Sequence, residues 1–234
     1  LIIAGSDSSG GAGIQADIKT VTAFGSYAMT AITAITAQNT RGVKKVISIS
    51  PEAVQKQITM ILDDIGSNAI KIGMLHNSRI IKSVYKTLKK YKPKNIVLDP
   101  VMIAKGGAKL ISNSSIEHLK KLILPLSTIV TPNIPEAEVL TGYSISSKED
   151  MIEAAKIILN MGSKNVLLKS GHLKNKMIFD VLATKKGIKI FKKRKIRTKN
   201  THGTGCTLSS ALATCLSQKK NIVKSCNISL RYVD

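Results

Sequence analysis

The chain opens with Leu1-Ile2-Ile3-Ala4-Gly5, followed by the run Ser6-Asp7-Ser8-Ser9-Gly10-Gly11-Ala12-Gly13. The first five residues are short and apolar, as in a buried strand, and the polar, glycine-rich run is typical of a loop. Apolar residues then recur at helical spacing from Ile14 to Phe24, and Gly25 ends the pattern. This order of strand, loop and helix predicts the first half of a βαβ unit.

The same alternation continues along the chain. We predict strands over 27–37, 44–49, 69–73, 95–99, 128–131, 165–169 and, as a hairpin, 177–193. Helices are expected over 51–63, 77–91, 112–123, 134–140, 147–161, 205–217 and 222–232. This rhythm predicts an α/β fold with a mostly parallel central sheet and helices on both faces. No linker or low-complexity tract divides the sequence, so we expect one domain over 1–234.

Composition excludes several classes of protein. With 234 residues and 43% apolar content, the chain is long enough for one sizeable core. No apolar run approaches the ~20 residues that a membrane span needs, so we expect no membrane partner. The three cysteines have neither CxxC spacing nor a histidine pattern for zinc, which argues against a disulfide framework. We expect a protein of the reducing cytoplasm.

The net charge of +22 raises the question of nucleic-acid binding. Aromatic residues make up only 3% of the chain and tryptophan is absent, so platforms for stacking bases are scarce. The lysines are spread along the predicted helices and the late hairpin. We interpret most of the charge as a lysine-rich surface and expect no nucleic-acid partner.

A second glycine-rich stretch, Thr201-His202-Gly203-Thr204-Gly205-Cys206-Thr207, leads into the apolar segment 208–216. It predicts a loop that presents backbone N–H groups at a helix N-terminus, where an anion such as phosphate binds. Cys206 falls in the first helical turn, where the same field is expected to lower its pKa from about 8.5. A phosphoryl-transfer site and a loop with a structural cysteine both fit these residues.

The first loop imitates a dinucleotide fingerprint through Gly11-x-Gly13-x-x-Ala16, but the loop is too long and no acidic residue ends the second strand. No Gly-Lys-Ser/Thr sequence occurs, so a P-loop is excluded. Asp7 and Asp17 are acids at and just inside the helix start. Either they cap the helix, or Asp17 faces a ligand and accepts hydrogen bonds from it.

Oxygen-bearing side chains follow two other predicted strands. Asp99 ends one strand, and Asn133 and Glu136 follow another at the spacing of one helical turn. Such oxygens suit Mg²⁺, with waters completing its shell, although turns and caps explain each residue singly. Lys169 ends a further strand and is either a surface residue or a group that neutralises charge on a transferring phosphoryl.

These motifs together make the resemblance specific. The chain resembles the bacterial hydroxymethylpyrimidine/phosphomethylpyrimidine kinases of thiamine biosynthesis, members of the ribokinase-like superfamily. The segments that carry it occur in family order and span nearly the whole chain: 3–19, 36–40, 71–75, 98–102, 131–138 and 198–209. The resemblance implies a ribokinase-like three-layer sandwich and an enzyme that uses ATP and Mg²⁺ to phosphorylate 4-amino-5-hydroxymethyl-2-methylpyrimidine, and then its monophosphate.

The resemblance also implies roles for individual residues. Gln38 would hydrogen-bond the aminopyrimidine, in a pocket lined by Gly5, Ala12, Asp17 and Met74. Cys206 would be the general base, within an anion hole formed by Gly203, Thr204 and Gly205. Asp99, Asn133 and Glu136 would organise Mg²⁺, largely through water. Lys169, Thr201 and Gly205 would contact the nucleotide.

The sequence differs from the family pattern in two places. The family usually has Gly-Gly-His where this chain has Ser170-Gly171-His172, and it usually continues past 234, so we expect the sequence to be truncated there. We expect a homodimer acting on a small molecule. The alternatives are a pyridoxal or pyridoxine kinase of the same superfamily, a thiol hydrolase using Cys206 and His202, and a basic nucleic-acid-binding module.

Overall fold

The computed structural model describes residues 1–102, 110–171, 177–194, 196, 198 and 200–234. His172 and Lys199, which belong to motifs quoted above, lie outside these ranges. In the part of the chain that is described, no helix combines the length and the apolar character needed to cross a bilayer.

Nine strands within the described ranges form a single sheet: β1 Ile2–Asp7, β2 Thr30–Asn39, β3 Gly42–Ser48, β4 Ile70–Ile72, β5 Ile96–Leu98, β6 Ile129–Val130, β7 Asn165–Leu168, β8 Met177–Thr184 and β9 Gly187–Arg194. Their order across the sheet is β3-β2-β1-β4-β5-β6-β7-β8-β9. The six strands from β2 to β7 in that order pair in parallel, and antiparallel hairpins extend both ends. The predicted, mostly parallel sheet is confirmed.

The helices are α1 Gly13–Ala23, α2 Pro51–Asp64, α3 Ser78–Tyr91, α4 Asn113–His118, α5 Ile134–Thr141, α6 Lys148–Asn160, α7 Thr204–Ser217 and α8 Ile222–Val233. Each predicted helix is present. The helix expected over 112–123 is regular only as far as His118. The chain then continues as a short π-helix at Leu119–Ile123 and a 3₁₀-helix at Leu124–Leu126. An acidic capping box between Ser147 and Asp150 begins α6.

The boundaries of the second strand differ from the sequence-based prediction. We predicted a strand over 27–37 followed by a loop, but β2 begins at Thr30 and includes Gln38 and Asn39. These two residues pair with Val43 and Gly42 of the antiparallel strand β3. Polar residues continue a strand here because hairpin partners, rather than burial, supply the backbone hydrogen bonds.

Alternate residues of the central strands face opposite helical layers. Ile70 and Ile72 join the larger core, beneath the layer that contains α2, α3, α5 and α6. Ala69, Val97 and Ile129 face the opposite way, into the smaller core under α7 and α8. This period of two gives the three layers that were predicted. It also places Lys71, between the two isoleucines, on the α7 side.

The strand order changes direction at β1, because β2 and β4 lie on opposite sides of it. After β1 the chain adds β2 and β3 on one side, and then crosses to add β4 on the other side. Loops leaving adjacent strands in opposite directions open a crevice at the carboxyl ends of those strands, where ligands bind in sheets of this kind. Gly13, at the start of α1, has φ +56°, and a Cβ there would lie 2.4 Å from the carbonyl oxygen of Gly5. Only glycine fits this approach to the crevice.

Candidate active site

A cavity of about 620 Å³ opens at this crevice. Its walls are the loops that follow β1, β4, β5, β6 and β7, together with the end of β2 and the start of α7. The cavity brings together most of the residues singled out from the sequence: Gly5, Ala12, Gln38, Met74, Asp99, Asn133, Glu136, Lys169, Thr201, Gly203, Thr204, Gly205 and Cys206. Its size is that of a small-molecule site.

The start of α7 forms one wall of the cavity. Gly203 precedes the helix in the left-handed conformation, with φ +79°, and a Cβ there would lie 1.7 Å from the Gly11 carbonyl oxygen. Within the described ranges no side chain caps this helix start. The Thr204 N–H donates to the Thr201 carbonyl oxygen at 3.5 Å, and the next N–H groups of the turn, those of Gly205 and Cys206, suit an anionic ligand.

Cys206 lies on the same cavity as Gln38, although the two residues are far apart in the sequence. The cysteine is half-buried and free of any disulfide. Burial raises the pKa of its thiol to about 12, although the Lys71 ammonium acts in the opposite direction. Our expectation of a lowered pKa is therefore wrong, because desolvation of the thiolate outweighs the nearby cation.

Lys71 and Asp17 form a buried ion pair beside the cavity. The Lys71 ammonium lies 2.8 Å from Asp17 Oδ2, and the side chains are 2% and 0% exposed. Ser210 Oγ donates to the other carboxylate oxygen at 2.7 Å. Asp17 is not among the residues that line the cavity, so the expectation that it faces the substrate does not match its position. The carboxylate instead supports Lys71, which does line the cavity.

Asp99, Glu136 and Lys169 form a second charged cluster, at the carboxyl ends of β5, β6 and β7. Lys169 Nζ lies 3.5 Å from Asp99 Oδ1. A Cβ on Gly205 would lie 3.6 Å from both Asp99 Oδ2 and Lys169 Nζ, so the first turn of α7 passes directly over this cluster. Burial opposes the charge on Lys169, but Asp99 and Glu136 outweigh it and raise the pKa of the ammonium.

Asn133 and Glu136 cap the helix that they begin. The Asn133 side chain accepts from the Glu136 N–H, and Glu136 Oε2 accepts from the Asn133 N–H, each at 2.9 Å. Burial, with the nearby Asp99 carboxylate, raises the pKa of Glu136 to about 7, against the effect of Lys169. The structural explanation that we kept open for this pair is thus part of its role. Asp99 and Glu136 are also two neighbouring buried carboxylates, a donor set that a hard cation fits.

A family model described as phosphomethylpyrimidine kinase matches residues 7–234. The chain belongs to this family. The hydroxymethylpyrimidine/phosphomethylpyrimidine kinase of Escherichia coli is 46% identical to it over 214 residues, which cover 91% of this chain and 80% of the relative. The thiamine biosynthesis bifunctional protein ThiED of Geobacter sulfurreducens is also 46% identical, but the chain spans only 48% of its length.

Solved structures of related kinases have the same fold. The phosphomethylpyrimidine kinase of Clostridium difficile 630 superposes with a TM-score of 0.89 and 45% identity, covering 100% of this chain and 96% of that one. A Bacillus subtilis pyridoxal kinase, solved as an ADP complex, gives a TM-score of 0.92 at 38% identity, covering 99% and 88%. The predicted ribokinase-like fold is confirmed, and the chain is a phosphotransferase.

We did not predict two features of the site from the sequence of this phosphomethylpyrimidine kinase family member. We assigned no role to Lys71, although a lysine between two isoleucines of a short apolar strand is a signal for a buried charge. We also treated Asp7 and His202 separately, whereas the His202 imidazole bonds to the Asp7 carboxylate at 2.8 Å. No sequence signal connects two residues 195 positions apart.

The difference from the family at Ser170 has a structural explanation. Ser170 is 2% exposed, its N–H donates to Asp180 Oδ1 at 2.9 Å, and its Oγ accepts from the Phe179 N–H at 2.8 Å. The serine hydroxyl therefore fastens the loop after Lys169 to the neighbouring strand β8.

Proposed function

We propose that this chain transfers the γ-phosphoryl group of ATP to the hydroxymethyl oxygen of 4-amino-5-hydroxymethyl-2-methylpyrimidine, and then phosphorylates the resulting monophosphate. The observation that carries the proposal is that Gln38, Cys206 and the uncapped start of α7 share one cavity. Such a transfer needs an amide that hydrogen-bonds the pyrimidine ring, a proton acceptor and an anion-binding site. The related hydroxymethylpyrimidine/phosphomethylpyrimidine kinases are named for the same substrates.

The pyrimidine would lie between Gln38 and the floor made by Gly5 and Met74. Gln38 carries both a donor and an acceptor on its amide, which suits an aminopyrimidine edge. Its Oε1 lies 3.1 Å from Thr36 Oγ1, a hydroxyl whose shorter bond, at 2.8 Å, goes to the Ser6 carbonyl oxygen. At Gly5 a Cβ would lie 2.4 Å from the Met74 methyl, so glycine leaves that side chain its place against the ring.

In the first transfer the hydroxymethyl oxygen bonds to the γ-phosphorus as the bond from that phosphorus to ADP breaks. The alcohol proton passes to the ionised sulfur of Cys206, which becomes a thiol, and the N–H groups of Gly205 and Cys206 hold the migrating phosphoryl group. In the second transfer the attacking oxygen belongs to a phosphate that is already largely ionised, so little proton transfer is needed. One cavity can therefore serve both steps.

ATP and Mg²⁺ are the proposed co-substrate and cofactor. Lys169, Thr201 and Gly205 would contact the nucleotide phosphates, and Asp99, Asn133 and Glu136 would hold Mg²⁺ through its waters. The cation supplies charge neutralisation of the phosphates. In the described ranges no cluster of three His, Cys, Asp or Glu side chains could hold a metal ion.

The second candidate function is a pyridoxal or pyridoxine kinase, which the TM-score of 0.92 to the Bacillus subtilis pyridoxal kinase favours. An assay of ADP release tests both candidates, with the pyrimidine alcohol, its monophosphate and pyridoxine offered separately. We expect turnover of the first two with a higher kcat/KM than of pyridoxine. A clear preference for pyridoxine, or no turnover of the monophosphate, would contradict the main proposal.

We also propose that the protein is a homodimer and that it is located in the cytoplasm. Ile35 and Ile47 are directly opposed on β2 and β3, and they are 46% and 51% exposed. An exposed apolar pair on this terminal hairpin is consistent with a surface that a second copy covers. Light scattering after gel filtration would give the mass, and a monomer at micromolar concentration would contradict this proposal.

A further inference from the structure

Two cavity-lining residues, Asp7 and His202, have no part in the transfer described above. Asp7 is the last residue of β1, and His202 lies just before the start of α7. His202 Nε2 is 2.8 Å from Asp7 Oδ2, and the two side chains are 9% and 2% exposed. The pair therefore connects the loop after β1 to the loop that delivers the anion site.

The Asp7 carboxylate also organises its own loop. Its Oδ1 accepts from the Ser9 N–H at 2.9 Å, and its Oδ2 accepts from the Ala12 N–H at 2.8 Å. Burial acts to raise the pKa of Asp7, but the bonds from His202, Ser9 and Ala12 together lower it. Because an ionised carboxylate only accepts, the hydrogen of the pair lies on His202 Nε2.

The two loops are in direct backbone contact beside this bond. A Cβ on Gly11 would lie 2.5 Å from His202 Cδ2, and a Cβ on Gly203 would lie 1.7 Å from the Gly11 carbonyl oxygen. Gly203 is the residue that turns the chain into α7. The position of the first α7 turn therefore depends on the loop 8–12, and the Asp7–His202 bond joins the two.

We propose that His202 is a positioning residue, which holds the start of α7 against the loop 8–12 through its bond to Asp7 and so sets the anion site for transfer. The inference rests on the proposed function. Because both phosphoryl transfers use the same helix start, removal of the bond should slow both steps. This distinguishes His202 from Cys206, whose loss should slow mainly the alcohol step.

Two variants that differ by one methylene test the bond. In His202→Gln the amide nitrogen takes the position of Nε2 and can still donate to Asp7, whereas in His202→Asn it is too short to reach. We expect His202→Asn to lower kcat about 10- to 100-fold in both steps, as small misplacements of a site do, with KM for the alcohol little changed. His202→Gln should restore most of the loss. Equal rates in Asn and wild type, or an equal loss in Gln and Asn, would overturn the proposal.

The control removes a histidine elsewhere. His118, at the end of α4, bonds through Nδ1 to its own helix at Ser114 O, at 2.7 Å. We expect His118→Asn to leave both steps unchanged. A loss as large as that of His202→Asn would overturn the assignment to the Asp7–His202 bond.

A second readout does not depend on the substrate. Cys206 is half-buried while Cys215 and Cys226 are buried, so mass mapping after iodoacetamide can follow Cys206 alone. Release of the α7 start should speed alkylation of Cys206 in His202→Asn but not in His202→Gln, and an unchanged rate in both would overturn the proposal. If wild type does not phosphorylate the pyrimidine but this alkylation pattern appears, the proposed function fails and the positioning role of His202 stands.

Discussion

The cavity has a lysine–carboxylate pair on each side, and the two pairs are built differently. The pair of Lys71 and Asp17 is short, at 2.8 Å, and its side chains are 2% and 0% exposed. The pair of Lys169 and Asp99 is longer, at 3.5 Å, and Lys169 keeps 17% of its side-chain surface exposed. Both lysines reach the cavity wall, but the first pair is almost completely buried, whereas in the second pair Lys169 is partly exposed.

From this difference we infer which charges belong to the framework and which would serve a ligand. Asp17 has Lys71 on one oxygen and Ser210 on the other, so its carboxylate is satisfied within the protein. In the second cluster one ammonium faces two carboxylates, Asp99 and Glu136, and the pKa of Glu136 is raised to about 7. A cluster whose charges are incompletely balanced can respond to a phosphate or a cation, whereas the balanced pair holds β4, α1 and α7 together.

The largest expected effect comes from breaking the buried pair. Lys71→Met leaves the Asp17 carboxylate buried without its cation, and we expect the free energy of unfolding to fall by about 3–5 kcal/mol. Urea unfolding of the variant and of the wild type measures this change in free energy.

A surface lysine provides the control for Lys71. Lys120 bonds to Glu117 at 3.2 Å, with side chains 23% and 55% exposed, so Lys120→Met should cost no more than about 1 kcal/mol. If Lys71→Met is as mild as Lys120→Met, the distinction between the two clusters is wrong.

The second effect is the reverse, a loss of activity with little loss of stability. Lys169→Met removes the cation that we propose faces the transferring phosphoryl group, and we expect kcat to fall about 10²- to 10³-fold. Its pair with Asp99 is long and partly open, so unfolding in urea should shift much less than for Lys71→Met. Near-normal turnover, or a stability loss equal to that of Lys71→Met, would contradict the division of roles.

The sequence predicted the fold and the location of the site because both follow from local patterns. Alternating strand and helix signals determine a parallel sheet, and a parallel sheet collects the polar residues after each strand at one edge. Asp99, Asn133 and Lys169 were found in this way. The resemblance to the kinase family then supplied roles that spacing alone left open.

The sequence did not predict which charges pair with which. Lys71 and Lys169 both occur at apolar strands, and only the packing of α1 and α7 shows that Asp17 lies under Lys71. The same packing decides the pKa of Cys206, because the desolvation of a thiolate depends on atoms brought together from several elements. A helix position predicts the sign of the helix field and not the amount of burial.

Cys206 lies between the two clusters, and its replacement gives the third effect. With a thiol pKa of about 12, only a small fraction is ionised at neutral pH. The alcohol step should therefore become faster as the pH rises through the neutral and alkaline range. Cys206→Ala should slow this step about 10²-fold and remove the rise, in keeping with the loss of a general base.

The monophosphate step is the internal control for Cys206, since its acceptor oxygen needs no base. Turnover of each substrate between pH 6.5 and about 9 measures both steps in one preparation. Equal losses in the two steps would mean that the sulfur contributes packing or binding instead of accepting a proton.

The smallest expected effect concerns Glu136 and the charge balance of the second cluster. Its pKa is about 7 in the folded chain, against an ordinary value of 4.5. Between these values the folded chain keeps a proton that the unfolded chain has lost, so stability falls as the pH rises through this window. Glu136→Gln still accepts from the Asn133 N–H but does not titrate. Relative to this variant, wild type should lose about 1–3 kcal/mol between pH 4.5 and 7 and then stay level. Urea unfolding at several pH values measures the difference. Parallel curves for the two proteins would mean that Asp99 and Lys169 already balance the cluster, and the contrast with the buried pair would then disappear.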